Sequence, residues 1–66
     1  MEGNRLATIR ESKMISKTEL ARRARLSFNT VNRVEKGYPC RIGTKRKIIM
    51  ALGIDLTDHE KVFPRS

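Results

Sequence analysis

From Ser27 to Lys36 the sequence runs S-F-N-T-V-N-R-V-E-K, and five of these side chains have the chemistry that meets nucleobase edges. An Asn amide can bond adenine bidentately, an Arg guanidinium can do the same with guanine, and Thr or Phe can touch a thymine methyl. Phe28, Asn29, Thr30, Asn32 and Arg33 are therefore the candidate base-reading residues. They can serve only if one element holds them outward together. The alternative is a helical hairpin whose polar face is simply solvated.

The flanking residues supply such an element. Val31 and Val34 repeat at helical spacing, so the other residues of the stretch fall on outer faces. Ser27 is an N-cap, and Lys36-Gly37 ends the helix with a last-turn cation and a C′ glycine. Upstream, Ser16 and Glu19 form an S-x-x-E capping box: the Ser16 hydroxyl accepts from the Glu19 amide, and the carboxylate accepts from the Ser16 amide in return. A helix then starts at Lys17, with Leu20, Ala21 and Ala24 on one face. The linker Arg25-Leu26-Ser27 is too short for anything but a sharp crossing, and the small Ala21 lets the second helix approach. Two short helices joined in this way are a helix-turn-helix.

Taken together, L-x-x-I-R at 6–10, I-S-K-x-E-L-A at 15–21, S-x-x-T-V-x-R-V-E-K-G at 27–37 and K-I-x-x-A-L-G-I at 47–54 resemble the Cro/phage-repressor type (XRE-like) helix-turn-helix family. The resemblance runs from about Leu6 to about Phe63. It implies an all-α, compact four- or five-helix bundle around a central helix-turn-helix, the lambda repressor-like DNA-binding domain. It also implies that the second motif helix enters the DNA major groove. Phe28, Asn29, Thr30, Asn32 and Arg33 match the family's base-reading positions. An Arg at position 10 pairs in relatives with the Glu matching Glu35, which ties the first helix to the reading helix; the alternative is two separately solvated charges. Two positions depart from the family pattern. Lys17 stands where relatives often have a Gln that buttresses a reader and touches a phosphate, so the phosphate contact is kept and the buttress is left open. Arg25 stands where a Gly with positive φ is frequent, and it either adopts the left-handed conformation at a cost of about 1 kcal/mol or reshapes the turn.

Composition sets the outer bounds. Sixty-six residues imply a single domain, 1–66, with a small core that is marginal by itself or helped by a partner subunit. There is no room for a separate substrate domain. With 15 Lys+Arg against 7 Asp+Glu, the net charge of +8 calls for a polyanionic partner. Charge alone does not separate DNA from RNA or an acidic membrane. A single Cys excludes an intrachain disulfide, and no apolar run approaches the roughly 18 residues of a membrane span. With no apolar leader at the N-terminus, the expected location is cytoplasmic, at a bacterial or phage-associated nucleoid.

In chain order, 1–3 is expected to be a frayed end. Asn4 caps a first helix to about Lys13, with Leu6 and Ile9 inward, and Ile15 precedes the Ser16 cap as an apolar N′ residue. After Gly37, Pro39 and Gly43 argue for a loop to Gly43. Thr44 then caps a helix with Ile48, Ile49 and Leu52 inside and Gly53 at its end. Its first turn would hold Lys45, Arg46 and Lys47, the wrong sign for a helix N-terminus unless a phosphate sits there; a merely solvated basic turn is the alternative. Between Leu20 and Ile54 there are nine basic residues and one acidic residue, Glu35. Lys17, Arg25, Lys36, Arg41, Lys45 and Arg46 are the expected phosphate contacts. Tyr38 either joins them beside Lys36 or packs on Pro39.

The segment 55–66 changes character, with three acidic residues against two basic ones. Thr57 and Glu60 read as a second capping box, for a short helix to about Phe63 that Pro64 stops. Leu56, Val62 and Phe63 give it apolar contacts, which either form a homodimer surface, as the resemblance implies, or close the monomer's own core. Cys40 reads as a loop thiol and His59 as an exposed residue, since one Cys and one distant His make no zinc spacing. No catalytic triad, carboxylate dyad or P-loop is present, so no enzyme, cofactor or small-molecule site is expected. The expected function is sequence-specific binding of double-stranded DNA by a transcriptional regulator, a repressor in the first instance. The DNA-binding antitoxin of a toxin–antitoxin pair and a non-reading protein adaptor are the alternatives. RNA binding is disfavoured by the scarcity of stacking aromatics.

Overall fold

The computed structural model describes residues 4–64. Four α-helices, α1 (Leu6–Ser12), α2 (Lys17–Ala24), α3 (Phe28–Glu35) and α4 (Ile42–Ala51), are followed by a 3₁₀ helix, Leu56–Lys61, and there is no strand among the described residues. The expected all-α architecture of four or five helices is what the chain adopts. The expected frayed 1–3 and the end of the tail, 65–66, lie outside the described residues.

One small core receives side chains from all four α-helices and from Val62, just beyond the 3₁₀ helix. Leu6 of α1, Leu20 and Ala21 of α2, Val31 and Val34 of α3, Ile48, Ile49 and Leu52 of α4, and Val62 form a single buried cluster. Ile9, Ile15, Leu26, Ile54 and Phe63 pack around it. Ile15 and Leu20 occupy N′ and N4 of α2, the positions of a hydrophobic staple that fixes how the chain enters the helix. Ala24 is also buried, so α2 turns three residues inward along one stripe. That stripe, narrow and mostly small, is what α3 and α4 pack against.

All four α-helices stop in the same way, with a left-handed residue and the paired hydrogen bonds of a Schellman motif. After α3, Gly37 (φ 93°) donates to the Val34 carbonyl at 3.0 Å and Tyr38 to that of Arg33 at 3.1 Å. After α4, Gly53 (φ 75°) donates to Met50 at 3.0 Å and Ile54 to Ile49 at 3.2 Å. The other two stops have no glycine. Arg25 (φ 59°) ends α2, donating to Arg22 at 3.2 Å while Leu26 donates to Ala21 at 2.8 Å. Met14 (φ 58°) ends α1, donating to Glu11 at 2.9 Å while Ile15 donates to Arg10 at 3.2 Å. Arg25 thus takes the left-handed option without reshaping the turn. Its Cβ is crowded there, as is that of Met14, at a cost of about 1 kcal/mol each.

Helix starts follow the sequence where a Ser caps and depart from it elsewhere. The Ser16 hydroxyl accepts from the Glu19 amide at 3.0 Å and that of Ser27 from the Thr30 amide at 3.1 Å. The box at Ser16 is only half formed, however. The Glu19 carboxylate turns to the guanidinium groups of Arg22 and Arg23, one helical turn on, instead of back to the Ser16 amide. Asn4 stands one residue outside the N-cap of α1, which is Arg5. Its Oδ1 accepts from the Leu6 amide at 3.1 Å while its Nδ2 donates to the Val34 carbonyl at 2.7 Å, so Asn4 ties the start of α1 to the end of α3.

Two expected boundaries are corrected. Helix α4 begins at Ile42, with Arg41 as an N-cap that offers no side-chain bond, and Thr44 lies inside the helix. Gly43 is accommodated in the first turn, where a residue has few intrahelical bonds to lose. Lys45, Arg46 and Lys47 therefore sit beyond the first turn, and the expected clash with the positive end of the helix dipole is weakened. In the tail, Asp55 displaces Thr57 as the cap. Asp55 Oδ1 accepts from both the Thr57 amide (2.9 Å) and the Thr57 hydroxyl (2.8 Å), so the helix starts two residues earlier and Thr57 lies inside it. The result is a 3₁₀ helix with non-helical geometry at Asp58. Val62 is fully buried, and its carbonyl accepts from the Arg5 amide at 2.9 Å, which fastens the tail to α1. Leu56, by contrast, is 42% exposed and does not enter the core.

Candidate nucleic-acid interface

Helix α3 has three constraints on its inner side. Val31 and Val34 are in the core, and Glu35 turns towards α1, where Arg10 Nε donates to Glu35 Oε2 at 2.6 Å and Arg10 Nη2 to Oε1 at 3.3 Å. Arg10 Nη1 also donates to the Ile15 carbonyl at 2.9 Å, so one guanidinium joins α1, the loop before α2 and α3. Glu35 and burial act in opposite directions on Arg10. The hydrogen bond to the carboxylate raises the proton affinity of the guanidinium, burial lowers it, and the bond wins with the help of the charges of Glu35 and Glu11. With both charges of this pair turned inward, neither neutralises the outer face.

That outer face carries Phe28, Asn29, Asn32 and Arg33, with Lys36 following at the C-cap. At 100° per residue these five lie within a 140° arc opposite the valines. Phe28 opens the helix and is 48% exposed, standing free of the core. Asn29 and Arg33 are exposed, and Asn32 is half-buried because Lys17 reaches across from the start of α2 and donates from Nζ to Asn32 Oδ1 at 2.8 Å. The buttress left open by the Gln-to-Lys departure is thus present as a lysine–amide bond. Thr30 falls off the arc: its hydroxyl lies 2.8 Å from that of Ser27, within the cap of α3. Tyr38 neither packs solely on Pro39 nor stands alone. Its ring lies 5.4 Å beneath the guanidinium carbon of Arg33, a cation–π arrangement that holds Arg33 at the end of the arc.

The expected phosphate-binding residues are spread over α2, α3, α4 and the turn between α2 and α3. Lys17 stands at the start of α2, Arg25 is exposed in the turn, and Lys36 is exposed at the end of α3. Arg41 occupies the N-cap of α4, and Arg46 is exposed on it. Lys45 is different, because its Nζ lies 5.4 Å from the centre of the Phe63 ring and the side chain is half-buried. Arg22 and Arg23 are held by Glu19. The hydrogen bond from Arg23, then the charge of Arg22, keep the Glu19 carboxyl below the ordinary carboxylate range.

The Arg33–Tyr38 stack and the Asn4–Val34 link were not anticipated from the residues. The first spans the helix stop, where Gly37 folds Tyr38 back over the last turn. The second needs a contact between residues 30 apart in sequence. Cys40 packs against the core, and burial raises its thiol pKa against a smaller opposing effect of Lys45, so it is a poor nucleophile at neutral pH. Among the described residues no group of His, Cys, Asp and Glu could hold a metal ion, and no helix is long and apolar enough to cross a membrane.

A family model described as helix-turn-helix matches residues 6–59. Its span takes in all four α-helices and most of the 3₁₀ helix. No curated protein matches the sequence.

Proposed function

Because the chain belongs to the Cro/C1-type helix-turn-helix family of DNA-binding regulators, we propose that it is a sequence-specific repressor that reads double-stranded DNA with α3 in the major groove. The observation that carries this reading is the division of α3 into two sides. Val31, Val34 and Glu35 are turned inward, to the core and to Arg10, while Asn29, Asn32 and Arg33 lie on one outward arc with the exposed Phe28 at its leading end. Asn and Arg bond base edges, and Phe28 meets a thymine methyl. Lys17, Arg25, Lys36, Arg41 and Arg46 hold phosphates on either side, and Tyr38 acts through Arg33. Thr30 contributes by holding the first turn of the reading helix in place. Repression follows from occupancy, since a protein seated in the groove excludes polymerase from the same DNA at the nucleoid.

The same account makes the protein a homodimer on its operator. Ile42, Ile49, Leu56 and Phe63 line one groove between α4 and the 3₁₀ helix together with Lys45, Arg46 and His59, and Ile42 and Leu56 are 73% and 42% exposed. With a second copy covering this groove, a two-fold dimer would read half-sites about 10 bp apart. Selection of the protein against a random duplex pool at physiological salt tests the proposal, because low salt would report only the net charge of +8. Enrichment of a two-fold symmetric site is the expected result. A short asymmetric site would keep the reader and remove the dimer. No enrichment would overturn base reading in favour of a structural or adaptor module.

A further inference from the structure

The bond between Lys17 and Asn32 restricts what Asn32 is able to read. An Asn side chain ends in an acceptor and a pair of donors, and rotation about its last bond exchanges them. Which end faces a base depends on what holds the other end. In this protein the holder is an ammonium group, with Nζ 2.8 Å from Oδ1, and an ammonium offers three donors and no acceptor. The oxygen must therefore face Lys17. If the amide turned over, an NH₂ group would meet an NH₃⁺ group, two donors facing each other. A Gln at position 17 would accept either orientation, since it presents a donor and an acceptor of its own. Nδ2 of Asn32 has no acceptor among the described residues, and Asn32 lies on the outward arc of α3 beside Asn29 and Arg33.

We infer that Lys17 is a positioning residue that fixes Asn32 as a donor towards the base, so that this position of the operator is a guanine or a thymine and not an adenine or a cytosine. This rests on the reading of α3 as the element in the groove. Guanine presents two acceptors to the major groove, O6 and N7, and thymine presents O4. Cytosine presents the N4 amino donor, which repels a second donor. Adenine offers N7 but sets its N6 donor beside it, and the bidentate Asn–adenine pair needs Oδ1 turned to the base together with Nδ2, whereas here Oδ1 is turned to Lys17. Lys17 thereby couples a phosphate-seeking charge to base choice, because the same ammonium that attracts the backbone locks the amide.

The experiment is selection from a random duplex pool at physiological salt with the full chain and four variants, Asn32→Ala, Lys17→Arg, Lys17→Gln and Asn32→Asp, each first shown to be helical and cooperatively folded. The position whose preference is lost in N32A identifies the base that Asn32 meets. In the parent it is expected to favour guanine or thymine over adenine and cytosine by about tenfold. K17R, also a pure donor, keeps that preference, whereas K17Q relaxes it and admits adenine. N32D retains the partnership with Lys17 but presents only acceptors, and moves the preference to cytosine. A merely structural role for Lys17 would lower affinity for all sites and leave base choice unchanged. An N32A-sensitive position that favours adenine in the parent, or one that K17Q leaves unaltered, would overturn the inference while preserving α3 as a reader. A parent protein that enriches no site would instead overturn the base-reading proposal on which the inference stands.

Discussion

Replacing Glu35 by Gln tests how far the Arg10–Glu35 pair holds the reading helix on the domain. The pair is largely out of water, with side-chain exposures of 9% for Arg10 and 6% for Glu35. Gln keeps the shape and one acceptor but removes the hydrogen-bonded counter-charge, leaving a buried guanidinium with the Ile15 carbonyl as its remaining native hydrogen-bond acceptor and the exposed Glu11 carboxylate 3.7 Å away. Removing one partner of a buried pair costs about 3–5 kcal/mol, and the surviving acceptors put this substitution near 3. A chain of this length has a total stability of roughly 3–10 kcal/mol, so E35Q removes a third or more of it. The assay is urea unfolding at neutral pH together with a thermal scan, where the midpoint should fall by at least about 12 °C. Arg10 does not complicate the choice of pH. Its raised pKa means that its contribution is fully present below the ordinary arginine value and is lost only as pH rises through the folded value, far above neutrality. The double replacement R10M/E35L, which removes both charges, should recover most of the loss. A cost for E35Q below about 1 kcal/mol, the range of an exposed pair, would refute the claim that this bond is a buried strut.

Other consequences follow from particular contacts. Met14→Gly and Arg25→Gly relieve left-handed backbone and should each add about 1 kcal/mol of stability, measured as a rise of about 4–8 °C in thermal midpoint. R25G should in addition weaken binding to all duplexes, because it removes a phosphate contact. Arg46→Ala should flatten the salt dependence of DNA affinity by about one unit of slope with little change in stability. Lys45→Ala should lower the thermal midpoint as well, because it strips the cation from the Phe63 ring. The Glu19 and Asp55 carboxyls should both titrate below the ordinary range by NMR. Their depressed pKa values mean that the associated stability is present above the unfolded value and lost as pH falls through the folded value. Added salt should move Glu19 back towards normal, since charged arginines lower it, and leave Asp55, held by hydrogen bonds from Thr57, nearly unmoved.

How much of this was legible in the sequence depended on the range of each interaction. Ser16 and Ser27 were readable as caps because a hydroxyl and an amide three residues on settle the matter locally. The valines of α3 and the Ile48–Ile49–Leu52 face of α4 were readable from period alone. The start of α4 was misplaced because Arg41 caps without a side-chain bond, so no residue type marks the boundary. The tail was misassigned because Asp55 and Thr57 are both cap residue types, and the carboxylate two residues upstream takes the Thr57 amide and starts the helix earlier. Nothing in the type of Met14 announces a left-handed residue; only the packing of Ile15 beyond it requires one. The Lys17–Asn32 bond joins residues 15 apart and exists only once α2 and α3 cross. Position 17 signalled only that something would change there, through its departure from the family pattern.

The outward face of α3 is the centre of the account, and Arg33→Ala examines it most directly. The measurement is the dissociation constant of parent and variant, at physiological salt, for the best selected duplex and for a scrambled duplex of equal length. Loss of a bidentate contact should cost about 1–3 kcal/mol on the selected duplex, with a smaller loss on the scrambled one and relaxed preference at a single base pair. Equal losses on both duplexes would mean that Arg33 contributes charge alone, and would contradict the assignment of this face as the reader.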